Sequence, residues 1–138
     1  MIKKQKIIFI CTGNACRSQI AEGIMRNLAG DKFDVYSAGS HPTKVHPMSI
    51  KVMKEVGIDI SSQTSDPISL YLNEIMDIVV TVCDDASKAC PIFPGNVERI
   101  QWSVEDPFKG WDLGSDDLLN FRKTREDLTK RIKNLLKS

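Results

Sequence analysis

The chain has 138 residues, with 19 Lys and Arg against 18 Asp and Glu, 41% hydrophobic residues and 27% charged residues. This length and composition are typical of one globular domain, so we expect a single domain over residues 1–138. The formal net charge of +1 provides no general attraction to nucleic acid or to an acidic membrane surface. Neither is therefore an expected partner, and any anion site should be local.

The start of the chain favours a cytoplasmic protein. Its basic residues 1–6 precede an apolar run that is too short for the core of a signal peptide, and no stretch approaches transmembrane length. Thiols are normally reduced in the cytoplasm, where a disulfide is usually transient and catalytic. The four cysteines therefore need a chemical explanation.

The strongest signal in the chain lies between Ile7 and Ser18. Residues 7–10 form a short, largely β-branched apolar run, which predicts a strand buried on both faces of a parallel sheet. The run stops at a cysteine and continues into a segment with the pattern of a helix. Between the two, Gly13 and Asn14 tolerate the left-handed backbone that a tight loop needs.

This loop has the features of an oxyanion site. Successive backbone N–H groups and the N-terminus of the next helix favour a tetrahedral anion. Cys11 and Arg17 flank the loop as C-x5-R, which places a thiol beneath the anion and a planar cation beside it. The same donors are expected to lower the pKa of the Cys11 thiol, and the thiolate is the nucleophile. A lone cysteine at a strand end is more often a buried small hydrophobic residue, but the whole pattern favours an anion-binding loop made of Cys11, Thr12, Gly13, Asn14, Ala15, Cys16, Arg17 and Ser18.

The next segments predict a βαβ unit. Apolar residues at helical spacing indicate a helix over 19–29, and a strand from Phe33 is expected to end near Ser37. Strand, helix and strand should form a right-handed crossover. A second helix is expected from Pro47 to Gly57.

The two histidines of the chain are His41 and His46. Both lie in a polar segment that contains proline and has no acidic residue nearby. We interpret both as surface-loop residues rather than as a general base or a ligand.

A third predicted strand also ends in a cysteine, and this indicates where that cysteine lies. Ser65 or Asp66 is expected to cap a short helix, after which residues 77–83 form a strand that again ends in cysteine. Functional residues collect outside the carboxyl ends of parallel strands. Cys11 and Cys83 should therefore lie at the same edge of the sheet.

The last third of the chain predicts a fourth strand and a long helix. The strand covers 97–102 and places Asp106 just past its end, where it is a candidate general acid. Asp before Pro is equally consistent with a simple turn. Periodic apolar residues over 116–136 predict an amphipathic helix. The predicted fold class is α/β, a single three-layer domain in which a four-stranded parallel sheet is flanked by helices.

Cys83 and Cys90 form a second cysteine feature. Their C-x6-C spacing, with no histidine nearby, fits zinc sites poorly. A helical segment would separate the two Cα atoms by roughly 10 Å, whereas a disulfide needs them within about 7 Å. Joining them would unwind the segment, which suggests a redox switch open to a thiol reductant. A relay follows in which Cys11 attacks the oxyanion, Cys83 attacks the adduct and Cys90 attacks the resulting disulfide. This relay works only for an oxyanion that can be reduced. Arsenate meets this condition, because it has the shape of phosphate and can be reduced to arsenite.

These residues together resemble the thioredoxin-coupled arsenate reductases, which share the low-molecular-weight protein tyrosine phosphatase fold. The resemblance covers the chain from about residue 6 to the last helix, and it rests on four segments in the expected order: 11–18, 36–39, 79–91 and 106–107. It implies arsenate as substrate and thioredoxin as reductant. The site residues that it implies are Cys11 as nucleophile, Cys83 and Cys90 as shuttle pair, Asp106 as acid, Arg17 and Ser18 as loop support, and Asn14 as the brace of the loop.

The resemblance also bears on cofactors. It implies no required cofactor, although some family members bind potassium beside the loop, where this chain has Asn14, Glu22, Ser37 and Asp66. Cys16 has no required role in the relay and is interpreted as a packing residue. Residues 109–116 match no motif, and we expect a monomer.

Two other functions remain open at the level of sequence. A low-molecular-weight protein tyrosine phosphatase would need Cys11, Arg17 and Asp106 but not the cysteine pair. Phe108 and Lys109 stand where such phosphatases usually have tyrosines, which disfavours this alternative. A non-catalytic oxyanion-binding or thiol-sensing module would keep the loop and show no turnover.

Overall fold

A parallel sheet of four strands forms the centre of the structure. The strands are β1 (Gln5–Cys11), β2 (Phe33–Gly39), β3 (Ile78–Thr81) and β4 (Glu98–Gln101), and their order is β2-β1-β3-β4. This computed structural model describes residues 4–82, 97–105, 107 and 117–137. The central strand β1 is buried from Ile7 onward, which explains its unrelieved apolar run. The predicted four-stranded parallel sheet is confirmed.

The topology places the loop after β1 at a reversal of strand order. The chain adds β2 on one side of β1 and later adds β3 on the other side. In open α/β sheets, ligands bind where the order reverses in this way, outside the carboxyl ends of the strands. The ladder between β1 and β2 continues to the pair Cys11 and Gly39, so β2 runs two residues beyond the end predicted at Ser37.

Three helices of the described chain pack together beside the sheet. They are α1 (Arg17–Ala29), α2 (Pro47–Lys54) and α3 (Asp117–Lys137), and each begins within two residues of its predicted start. The three contact one another, and α1 also packs against β1 and β2. Large side chains that are fully buried in this core include Phe9, Met25, Met53, Phe121 and Leu128. Within the described ranges, none of the helices is both long and apolar enough to cross a bilayer.

The predicted cap of the short helix is wrong. Residues Ile68–Tyr71 form one turn of 3-10 helix, and Pro67 precedes it without any side-chain cap. The Ser65 hydroxyl instead donates to the Gly13 carbonyl at 3.2 Å, 52 residues away in sequence. The Ser65 hydroxyl, which the local sequence predicted as a helix cap, thus forms a tertiary hydrogen bond to the loop instead.

The prediction that both histidines are surface-loop residues is wrong for His46, whereas His41 is exposed as predicted. The side chain of His46 is only 1% exposed. Its Nδ1 accepts a hydrogen bond from the Met48 backbone at 3.1 Å and so caps α2. Its ring lies against Phe121 of α3, with the centroids 4.9 Å apart. The polar sequence around His46 gave no indication that this residue is buried and contacts both α2 and α3.

Glu55, just after α2, forms an ionic link to α3. Its carboxylate accepts hydrogen bonds from Arg122 Nη2 at 2.7 Å and from Arg125 Nη1 at 2.8 Å. The hydrogen bonds from Arg122 and then from Arg125 lower the pKa of Glu55 from 4.5 to about 2. The folded protein therefore binds the ionised form of this carboxyl in preference to the neutral form.

We expect Glu55→Gln to lower the free energy of unfolding at pH 7. A group whose pKa is depressed by folding stabilises the protein above its ordinary pKa, and this contribution is lost as the pH falls through the folded value. The difference between variant and parent should therefore be full above about pH 4.5 and shrink toward pH 2. Urea unfolding monitored by circular dichroism at several pH values measures it. Glu126→Gln, which removes a more exposed partner of Arg125, is the control, and a deficit independent of pH would contradict the assignment.

Candidate active site

The predicted oxyanion loop connects the end of β1 to the start of α1. Cys11 is the last residue of β1 and is 3% exposed, while Cys16 stands at the N-cap of α1. The loop thus points the N-terminal end of a helix toward the edge of the sheet where strand order reverses. Both the helix dipole and the backbone N–H groups of its first turn favour an anion there.

Asn14 makes the left-handed turn that the loop needs. Its φ is +47°, the one positive value among the described residues other than glycine, whereas Gly13 is not among the described glycines with positive φ. The side chain is fully buried. Its Nδ2 donates to Ser18 Oγ at 2.7 Å and to Ser37 Oγ at 3.0 Å, and its Oδ1 accepts from the Asp66 backbone at 2.8 Å. These bonds hold a backbone conformation that is uncommon for residues with a side chain.

The carbonyl groups of the loop are drawn outward by the surrounding chain. The Thr12 oxygen accepts from the His41 backbone at 2.8 Å, and the Gly13 oxygen accepts from the Thr43 backbone at 3.1 Å. Further donors reach the carbonyls of Asn14 and Ala15 from Gln19 Nε2 at 3.0 Å, the His46 backbone at 3.0 Å and Ser49 Oγ at 3.1 Å. In a trans peptide the N–H points opposite to the C=O. The N–H groups of residues 13–16 therefore point away from these donors.

Ser18 is placed to stabilise a thiolate on Cys11. The Ser18 Oγ and Cys11 Sγ atoms are 2.8 Å apart. A thiolate sulfur only accepts hydrogen bonds, so when Cys11 is ionised the Ser18 hydroxyl donates to it, while the Ser18 oxygen accepts an amide proton from Asn14. A hydrogen bond to the charged form of a group favours that form, so this geometry supports the predicted nucleophile.

Arg17 links the loop to the chain after β4. Its Nη1 donates to the Val104 carbonyl at 3.1 Å. Asp106, the candidate acid, lies two residues further along but outside the described residues. Cys83 and Cys90 also lie outside them, although the residue before Cys83 is placed: the Val82 backbone donates to the Ile10 carbonyl at 2.9 Å. Val82, the last described residue before Cys83, therefore lies beside the residue that precedes Cys11.

Gly39 matters to the loop more than the sequence indicated. A Cβ on Gly39 would lie 2.6 Å from the Thr12 carbonyl oxygen and 2.9 Å from the Asn14 backbone nitrogen. Both are backbone atoms of the loop, which cannot move aside as the end of a flexible side chain could. The outer donors Gln19, Thr43, His46, Ser49 and Ser65 were also missed, because most of them are far from the loop in sequence and carry no local signal.

The four residues expected at a potassium site come together, but their arrangement does not support one. Asn14 donates to Ser37, which in turn donates to Glu22 Oε1. The other carboxylate oxygen of Glu22 is paired with Arg26 Nη2 at 2.7 Å, so a permanent cation already neutralises this charge. Asp66 Oδ2 accepts from Thr64 and Tyr71. Among the residues that the structure describes, no group of three or more His, Cys, Asp or Glu side chains is placed to hold a metal ion.

Comparison with known proteins identifies the family. Residues 6–138 match the model of the family described as low molecular weight phosphotyrosine protein phosphatase, and the chain belongs to this family. The fold and the cysteine loop described above are therefore those of a phosphatase-type domain.

Relatives and solved structures that are similar to this chain have a different chemistry in their names. The chain is 47% identical over 132 residues to an arsenate reductase of Halalkalibacterium halodurans, covering 96% of this chain and 95% of that one. A solved arsenate reductase in its oxidized state is 37% identical, with a TM-score of 0.81 and 95% of both chains covered. A thioredoxin-dependent arsenate reductase of Corynebacterium glutamicum is 30% identical, with a TM-score of 0.77 over 97% of this chain and 61% of that one.

Substitutions at Asn14 separate its backbone role from its side-chain role. We expect Asn14→Gly to keep the left-handed turn but to lose the amide bonds to Ser18 and Ser37, so that the protein folds while Cys11 reacts more slowly. Asn14→Ala should lose the left-handed turn as well as the amide bonds, and it should be the less stable variant, since Ala disfavours positive φ. Thermal unfolding and peptide-mapped alkylation of Cys11 measure the two effects. Equal stability of the two variants would contradict the backbone role.

We expect Gly39→Ala to weaken anion binding strongly, because the new methyl group would collide with the loop backbone. Isothermal titration with phosphate measures the affinity. Gly57→Ala is a contrasting control, since a Cβ there meets nothing within 4 Å but is strained by a φ of +79°. Gly57→Ala should lower stability and leave phosphate affinity unchanged, so equal affinity in the two variants would contradict the collision.

Proposed function

We propose that this protein reduces arsenate to arsenite with Cys11 as the nucleophile and thioredoxin as the reductant. The observation that carries the proposal is the buried Cys11 sulfur at the end of β1, 2.8 Å from the Ser18 hydroxyl in the first turn of α1. The arsenate reductases named above, at 30–47% identity, support the choice of substrate. Arsenate has the shape and charge of phosphate, which the loop of this family accommodates, and it can be reduced.

The first step forms a covalent adduct. The Cys11 thiolate attacks the arsenic atom, and one arsenate oxygen leaves as water after protonation, for which Asp106 is the proposed acid. Arg17 and the N–H groups of residues 13–16 hold the remaining oxygens. The sulfur–arsenic bond is formed at this stage, and arsenic is still in its oxidised state.

The cysteine pair then supplies the reduction. The Cys83 thiolate attacks the Cys11 sulfur and forms a disulfide, while arsenite leaves with the electron pair of the sulfur–arsenic bond. The Cys90 thiolate next attacks Cys83, which releases the Cys11 thiolate and leaves a Cys83–Cys90 disulfide. Two thiols have lost two electrons and arsenic has gained them. Thioredoxin reduces the disulfide by exchange, so no metal or organic cofactor enters the cycle.

The surroundings expected for this reaction are simple. Thioredoxin coupling requires a compartment that keeps thiols reduced, and we assign the protein to the cytoplasm on that ground. We expect it to act as a monomer, with arsenate and thioredoxin as its partners and with no nucleic acid or membrane.

Phosphatase activity is the second function to consider. The family includes tyrosine phosphatases, as its description says, and the loop that binds arsenate will also accept a phosphate ester. A cysteinyl phosphate is hydrolysed rather than reduced, so this activity requires Cys11 but not the cysteine pair. We expect slow hydrolysis of aryl phosphates as a side activity.

Replacing Cys90 by Ser tests the relay. We expect Cys90→Ser to lose repeated arsenate turnover, because the Cys11–Cys83 disulfide can no longer be passed on, while aryl phosphate hydrolysis is retained. Turnover is measured as NADPH consumption with thioredoxin and thioredoxin reductase, with glutaredoxin and glutathione as the comparison. Cys11→Ser should abolish both activities. Unchanged multiple turnover in Cys90→Ser would refute the relay, and brisk phosphate hydrolysis by the parent without any arsenate reduction would make the protein a phosphatase.

A further inference from the structure

The carbonyl oxygen of Asn14 differs from its neighbours in the loop in the kind of donor that holds it. Each of three neighbouring carbonyls accepts a backbone N–H group, and these bonds join Thr12 to His41, Gly13 to Thr43 and Ala15 to His46. The Asn14 oxygen instead accepts from a side chain, Gln19 Nε2, at 3.0 Å. A substitution can remove a side-chain donor, whereas a backbone donor survives most substitutions. The direction of the peptide group between residues 14 and 15 therefore depends on which residue stands at position 19.

The amide nitrogen of Gln19 donates to two backbone carbonyls. Besides the Asn14 oxygen, Nε2 lies 2.8 Å from the Thr64 oxygen, and Gln19 is fully buried. A carbonyl oxygen only accepts hydrogen bonds, so the nitrogen end of this amide must face both carbonyls. Thr64 belongs to the same segment as Asp66, whose backbone donates to the Asn14 side chain at 2.8 Å. Gln19 thus fixes the loop to residues 63–66 through a second contact.

Gln63 holds the other end of the same amide. Its Nε2 donates to Gln19 Oε1 at 2.7 Å and to the Gln19 backbone oxygen at 3.1 Å. The Gln63 oxygen accepts from Arg26 Nη1 at 3.3 Å. Because an arginine only donates, Gln63 presents its nitrogen to Gln19. The side-chain oxygen of Gln19 is thus occupied by a donor outside the loop.

The position of Gln19 in α1 makes this polarity informative. Cys16 is the N-cap of α1, so Gln19 is the third residue of the helix. A Gln at this position commonly forms a capping box, in which its side-chain oxygen accepts the N–H of the N-cap residue. Here the side-chain nitrogen reaches back instead and donates to a carbonyl two residues before the N-cap. The Gln19 oxygen therefore accepts from Gln63 rather than from a backbone N–H at the helix end where the anion is expected.

The consequence for an anion follows from the geometry of the peptide group. In a trans peptide the N–H points opposite to the C=O, so the Ala15 N–H lies on the side of the peptide away from Gln19. A hydrogen bond to the carbonyl also polarises the peptide and makes its N–H a stronger donor. Without the Gln19 donor, the buried Asn14 carbonyl would lose its partner. Rotation of the peptide toward another donor would turn the Ala15 N–H as well.

We propose that Gln19 is a positioning residue for the oxyanion: by donating to the Asn14 carbonyl, it keeps the Ala15 N–H directed at the anion that Cys11 attacks. Gln63 supports this role by holding the Gln19 oxygen. Gln19 acts through the backbone of the loop rather than by contact with the anion. The inference rests on the proposed function, in which this loop binds an oxyanion, but it does not depend on the reduction of that anion.

The test is isothermal titration of Gln19→Met with inorganic phosphate. Met has a similar length and no N–H donor in its side chain, so we expect about tenfold weaker binding, the effect of losing one hydrogen bond to a charged group. Cys11 keeps its contact with Ser18 at 2.8 Å, so the rate of Cys11 alkylation by iodoacetamide without phosphate should change by much less than the affinity. In aryl phosphate hydrolysis, KM should rise more than kcat falls, because the lost N–H contact serves substrate and transition state alike.

Ser49→Ala is the matched control. Ser49 is also fully buried, and its hydroxyl donates to another loop carbonyl, that of Ala15, at 3.1 Å. The His46 backbone N–H remains bound to the same oxygen when this hydroxyl is removed. We therefore expect Ser49→Ala to weaken phosphate binding far less than Gln19→Met does. An equal loss of affinity in the two variants would overturn the inference, because any buried donor would then have the same effect.

The remaining outcomes distinguish this inference from the proposed function. A phosphate affinity of Gln19→Met equal to that of the parent would overturn the inference. A change in Cys11 alkylation as large as the change in affinity would also overturn it, since the whole loop would then have loosened. If Gln19→Met does not fold, Gln63→Met leaves Gln19 in place and releases its oxygen, and an unchanged phosphate affinity in that variant would overturn the inference. A parent that binds phosphate but does not reduce arsenate, with weaker binding in Gln19→Met, would refute the proposed function and support the inference.

Discussion

The geometry of the site depends on one buried amide. Asn14 holds a left-handed turn with φ of +47°, and its side chain spends both amide protons and its oxygen on Ser18, Ser37 and the Asp66 backbone. Without that turn the peptide planes of the loop could not present their N–H groups to one point. Without those bonds the Ser18 hydroxyl would have no fixed direction. The same side chain therefore shapes the candidate anion site and holds Ser18, which contacts Cys11.

Charge in this protein acts locally rather than as a field. The net charge of +1 gives no long-range attraction for an oxyanion, so the proposed binding depends on local groups: the backbone of the loop, the N-terminus of α1 and Arg17. Two carboxylates that are paired with arginines, the buried Glu22 and the exposed Glu55, follow the same logic. Glu22 is neutralised by Arg26 beside the loop, and Glu55 is neutralised by Arg122 and Arg125 between α2 and α3.

The loop is held by chain segments that are distant in sequence. Residues 41–49 and 63–66 surround it, and their donors draw the loop carbonyls outward. The end of β2 completes this enclosure, because Gly39 permits backbone contact where any side chain would collide. An anion-binding loop of this kind is thus a property of the whole edge of the sheet, even though its signature is contained in eight residues.

The sequence by itself determined the order of strands and helices, the parallel sheet and the position of the candidate anion-binding loop. Those features rest on periodicity, on an apolar run between polar segments and on a short motif, all of which are local. Only the tertiary structure decided that His46 is a buried cap, that Ser65 supports the loop rather than a helix, and that Arg26 forms an ion pair with Glu22, at positions where some family members bind potassium. These outcomes depend on which of several groups, distant in sequence, forms the hydrogen bond or the ion pair in the folded chain. A linear sequence records the groups that can compete, whereas the folded chain sets the distances that decide between them.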